Sequence, residues 1–160
     1  MSSNGAEDRF RSSQSSPRLM LERVVDTLSN AGYYAYPHID DQNRWTVSAD
    51  TDEGHVDVRL GGGIYILEAW DTSPGLFWEE ENERRFHALE RRARIVMPAI
   101  ARGLVDENQD IWWDEQEHGV GARVSMRVPY EHIIEIPAHS RVLLESLNEL
   151  LSEVERRLLD

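Results

Sequence analysis

Apolar residues return every three or four positions through Leu21, Val24, Val25 and Leu28, the spacing that gathers side chains on one face of a helix. Ser16 is placed to cap that helix and Pro17 suits its first turn, while Gly32 can end it in a left-handed turn. The spacing predicts a helix over about 17–31. The rhythm then changes to alternation. Trp45, Val47 and Ala49 share one face of a strand, a "TDEG" turn follows, and Val56, Val58 and Leu60 share a face of the next. After the glycines at 61–63, "IYILEAW" is apolar on both sides, which predicts a central or doubly covered strand.

A second helical stripe runs through Phe86, Leu89, Ala93, Val96 or Met97, and Ile100. Acids at 79–81 and 83 precede its arginines, matching the helix dipole, and Pro98 is expected to kink or end it. The hairpin "DIWWDEQEHGVGARVSMRV" follows, with Val124, Met126 and Val128 on one face and Arg123, Ser125 and Arg127 on the other. Adjacent strand residues point to opposite faces, so Trp112 and Trp113 cannot both enter one core. The bridge "YEHIIEI" between Pro129 and Pro137 is expected to be irregular or a short turn. A leucine helix capped by Ser140 closes the chain, its stripe running through Leu143, Leu144, Leu147, Leu150, Leu151, Val154 and Leu158. The expected order is α-β-β-β-α-β-β-α, an α+β fold on an antiparallel five-stranded sheet. Whether "YYAYPHI", about 33–39, joins that sheet is open. Residues 1–15 have little to bury and are expected to form a disordered polar tail, leaving one domain at 16–160.

Composition narrows the chemistry. Cysteine is absent, which excludes disulfides and every thiolate-based site. All 17 basic residues are arginine, so lysine-dependent phosphate loops, Schiff bases and lysine nucleophiles are excluded as well. The net charge of −13 argues against nucleic-acid and anionic-membrane binding. No apolar run reaches the ~18 residues a membrane span needs, and a cytoplasmic location is expected.

No catalytic motif emerges. The histidines (His38, His55, His87, His118, His132 and His139) show no metal-binding spacing, although Glu117–His118 and Glu131–His132 could meet near one end of the sheet. Ser73 lacks a nucleophile elbow. The glycines at 61–63 and the "GVGAR" stretch lack the following helix that a phosphate cradle requires. Arg84, Arg85, Arg91, Arg92 and Arg94 are expected to pair along the helix with Glu81, Glu83 and Glu90. No catalytic residue, metal or cofactor is expected. The tryptophans (Trp45, Trp70, Trp78, Trp112 and Trp113) are more telling, since an exposed one among apolar neighbours is an interface anchor.

With its helix "RLMLERVVDTLSNAGY", the three strands, "RRFHALERRARIVMPAI", the tryptophan hairpin and the closing leucine helix, the chain resembles the type III secretion chaperone fold shared by YbjN-like proteins. The resemblance runs from about Pro17 to Asp160. It implies a non-catalytic homodimer that clamps a partner's extended segment. The implied partner contacts are Leu21, Val25, Trp45, Val47 and Trp113, and the implied dimer contacts are Phe86, Leu89, Val96 and Trp112. The alternative is a small-ligand or cofactor-binding domain with a tryptophan-lined pocket.

Overall fold

A computed structural model describes residues 16–73 and 83–159. The expected tail at 1–15, Trp78 and the acids at 79–81 lie outside them.

The first helix, α1 (Pro17–Asn30), turns Met20, Leu21, Val24 and Leu28 inward. Ser16 stands at its start but makes no capping hydrogen bond with its side chain. Gly32 adopts φ +93°, and its N–H reaches back to the Ser29 carbonyl, giving the expected left-handed stop. The next strand, β1 (Ala35–Ile39), adds one to the five expected. It pairs antiparallel with β2 (Trp45–Thr51), with Pro37 opposite Val47. A proline speaks against a central strand, and β1 is indeed at the edge, where the missing N–H is tolerated.

Strands β3 (Gly54–Leu60) and β4 (Ile64–Ser73) complete the meander. Strands β5 (Gln109–Asp114) and β6 (Gly119–Pro129) form the hairpin. The sheet is six-stranded and antiparallel in the order β1-β2-β3-β4-β6-β5. Between its last two strands in sequence and β4 lies α2 (Glu83–Leu104), which runs through Pro98 as one helix. The packing explains why the proline does not end it. Ala93, Met97 and Ile100 are buried on one side, while Pro98 faces solvent, where water can satisfy the carbonyl it leaves unbonded.

The segment Tyr130–Glu135 is a 3-10 turn, and α3 (Ile136–Leu159) starts five residues earlier than a Ser140 cap would allow. Pro137 sits in the first turn, which tolerates it. Ser140 is instead fully buried within the helix, its hydroxyl donating to the Ile136 carbonyl at 2.8 Å.

One core holds the domain together. Val47, Val56, Val58, Leu67, Ala69, Val120 and Ala122 supply the sheet side of it. All seven residues of the leucine stripe on α3 are buried against them, with Leu21, Val24 and Leu28 of α1 and Ala93 and Met97 of α2. Among the described residues the helices therefore share one face of the sheet. The cross-strand series Ser48↔Asp57↔Glu68↔Ser125 belongs to the other.

Candidate functional site: the open face of the sheet

Alternation along each strand puts every second side chain on the face that no described helix covers. From β1 come Tyr36 and His38, from β2 Ser48 and Asp50, from β3 His55, Asp57 and Arg59, and from β4 Glu68 and Trp70. Arg123 of β6 stands opposite Trp70, and Trp112 of β5 stands opposite Gly121. All of these but His55 and Gly121 line an open trough of about 760 Å³, bordered by the β1–β2 loop with Asp40, Asp41, Gln42 and Arg44.

Hydrogen bonds bind its floor into two chains. In the first, Trp70 Nε1 donates to Asp57 Oδ2 at 2.8 Å, and Asp57 Oδ1 lies 2.5 Å from Ser48 Oγ, which is itself 2.5 Å from His38 Nε2. This brings a serine, a histidine and an aspartate together, but in an order unsuited to nucleophilic attack. A carboxylate only accepts, so Ser48 donates to Asp57 and takes its other hydrogen bond from His38. A catalytic serine would need the histidine as its base, oriented by the aspartate. Ser48 is also only 5% exposed. The cluster is a support for Trp70.

The second chain joins three strands. Tyr36 donates its hydroxyl to Asp50 at 2.9 Å, and His55 Nδ1 meets the same carboxylate at 2.7 Å. The bond from His55, followed by that from Tyr36, holds Asp50 below the usual carboxylate range. The same contact with Asp50 pushes the Tyr36 hydroxyl up. The His55 ring stacks on Trp70 with centroids 4.4 Å apart. On the far side Arg59 pairs with Glu68 at 2.6 Å, and the Arg123 guanidinium sits 5.6 Å from the centre of the Trp112 ring. Tyr34, just before β1, continues into Tyr36 and His38 as an aromatic ladder with steps of 5.9 and 5.7 Å.

The structure divides the residues implied by the resemblance. Leu21 and Val47 are 3% and 0% exposed, so both belong to the core and neither can meet a partner in this conformation. Val25 and Trp113 are partly buried against the same core. Trp45 is 58% exposed and pairs across the strands with exposed Ile39, forming an apolar corner at the β1 edge. Phe86, Leu89 and Val96 also turn toward their own core, leaving Ile95 as the exposed large apolar residue of α2. The two adjacent tryptophans separate as alternation requires, Trp113 on the helix side and Trp112 at the rim of the trough.

The remaining candidates disperse. His118 and His132 stand at opposite ends of β6 and bond different acids, Glu90 at 2.8 Å and Glu135 at 2.9 Å. They do not meet. Among the described residues no three His, Asp or Glu side chains group as a metal site would require. Arg94 pairs with Glu90 of its own helix at 3.7 Å, as expected, and also forks to Glu115 of the hairpin turn at 2.8 and 2.5 Å. No described helix is long and apolar enough to cross a membrane.

No protein-family model and no curated protein matches the chain. Solved structures do. An uncharacterized protein from Methanothermobacter thermautotrophicus aligns with a TM-score of 0.53 and 10% identity, covering 88% of this chain and 99% of that one. YbjN from E. coli aligns with a TM-score of 0.46 and 13% identity, covering 86% of this chain and 92% of its own. The likeness to the first of these is one of fold, an α+β domain built on an antiparallel sheet.

Proposed function

We propose that this chain is a non-catalytic binding module, chaperone-like in manner, that holds a segment of a partner protein against the open face of its sheet. The observation that carries this reading is the division of the sheet, with all described helices on one face and an organised aromatic and polar trough on the other. The partner surface thereby moves from α1, whose apolar stripe is buried, to Tyr36, Trp70 and Trp112, with Ile39 beside them. A wide opening and charged walls suit a macromolecular segment better than a small molecule, which is ordinarily enclosed by apolar walls.

The second reading, a small-ligand domain, draws on Trp70 and Trp112 both lining a volume of about 760 Å³. A homodimer belongs to the first reading as well, through Trp112 and the outer side of α2 near Ile95; sedimentation at several concentrations tests it. The test of partner binding is a photo-crosslinking amino acid placed at position 70 or 112 in the native host, with exposed position 142 on the outer side of α3 as control. Protein adducts at 70 and 112 and none at 142 are expected. Equal yields at all three positions, or none at 70 and 112, would sink the proposal.

A further inference from the structure

We infer that the segment held in the trough is extended and presents arginine. The inference rests on the reading of the trough as a protein-docking surface, and adds the chemistry of its occupant. Five carboxylates and three arginines line the trough, so acidic side chains outnumber guanidinium groups there. Each arginine is already engaged. Arg44 pairs with Asp40 at 3.0 Å, Arg59 with Glu68 at 2.6 Å, and Arg123 lies over Trp112 and 3.9 Å from Glu68.

Three carboxylates are left without an arginine. Asp50 is held by His55 and Tyr36, and Asp57 by Ser48 and Trp70. Asp41 is exposed and has no side-chain partner among the described residues. A newcomer that approaches them brings either a cation or an uncompensated repulsion.

The choice of arginine over lysine follows from the walls. Aromatic rings at Tyr36, Trp70 and Trp112 alternate with carboxylates around the trough. A planar guanidinium can lie against a ring and fork to a carboxylate together, whereas an ammonium is a hydrated point charge. Arg123 has both kinds of neighbour within the chain itself, its guanidinium carbon 5.6 Å from the centre of the Trp112 ring and its Nε 3.9 Å from Glu68.

Extension follows from the span. Lining residues come from every strand between β1 and β5, and six strands about 4.8 Å apart cover roughly 24 Å. About seven residues of extended chain cross that distance.

The test is calorimetric titration of the full chain with three decapeptides of glycine alternating with arginine, lysine or glutamate, at near-physiological salt. The arginine peptide is expected to bind about tenfold more tightly than the lysine peptide, and the glutamate peptide not at all. Asp41→Asn, on an exposed loop where folding is not at stake, should weaken the arginine peptide severalfold. Trp70→Phe should narrow the preference over lysine. Equal affinity for arginine and lysine would mean diffuse charge attraction only and would overturn the inference, as would absence of binding. If photo-crosslinking at position 70 captures a protein while the arginine peptide fails to bind, this inference falls and the docking surface stands. If both fail, both fall.

Discussion

The indole of Trp112 occupies the volume that a β-carbon on Gly121, its cross-strand partner, would need. The glycine lets the ring lie against the sheet. Gly121→Ala therefore forces the ring or the strand to move, and should destabilise the fold by roughly 1–3 kcal/mol. Urea unfolding followed by tryptophan fluorescence measures this. The Trp112→Ala, Gly121→Ala double variant should lose less than the sum of the single losses, because the clash disappears with the ring. Additive losses would show that the contact is unimportant.

Glu90 ties α2 to the β5–β6 turn. It is 5% exposed and receives His118 Nδ1 at 2.8 Å, with His87 and Arg94 at 3.6 and 3.7 Å. Glu90→Gln removes a buried charge from among these donors, and about 1–3 kcal/mol of stability should go with it. The readout that separates this from general loosening is amide exchange, which should quicken first at residues 114–119. Uniform quickening across the sheet would contradict the latch.

Leu147 and Ile95 provide a contrast in burial. Leu147 is fully buried beneath the sheet, whereas Ile95 is 76% exposed on α2. Leu147→Ala should cost about 2–5 kcal/mol by creating a cavity. Ile95→Ala should stay within about 0.5 kcal/mol of wild type in the monomer. A marked loss at Ile95 that depends on protein concentration would instead place that residue in a subunit contact.

Acid should weaken the fold through identifiable carboxylates. Asp50 is held below its ordinary range by His55, Glu115 by Arg94, Glu135 by His132 and Asp40 by the Arg44 backbone N–H. A carboxylate whose folded value is lowered stabilises the native state above its unfolded value, and that contribution disappears as pH falls through the folded value. At those pH values the unfolded chain binds more protons, so stability rises with pH. The melting temperature should hold near neutrality and decline below about pH 5, where model carboxylates begin to protonate. Asp50→Asn should make the decline shallower. An unchanged slope would remove Asp50 from the account.

Where burial and period agree, the chain is legible from its sequence. The leucine stripe of α3, the Val56–Val58 face of β3 and the opposed tryptophans of the hairpin all follow from periodicity, because each element buries only one side. Three prolines mark the limit. Pro37 sits within a strand, Pro98 within a helix and Pro137 at a helix start, and which outcome holds depends on neighbours far away in the chain. Ser140 likewise resembles a cap and is a buried interior residue. The trough was harder still. Its residues do alternate with core positions, so an outer polar face was readable strand by strand. That Ser48, Asp57 and Glu68 stand side by side depends on strand order and register, which no local pattern carries. The exposed Trp45 was within reach of sequence, since its strand begins there, whereas the burial of Leu21 and Val47 followed from the packing of α1 and α3.

The bonds that run from Tyr36 through Asp50 to His55, and from His38 through Ser48 and Asp57 to Trp70, leave the floor of the trough few rotamers to lose. Such a surface is preorganised, so the entropy of ordering on association falls mainly on whatever docks. A stiff host with a supple guest shifts selectivity toward segments already extended in solution, and makes rigidifying the guest the direct route to a tighter complex.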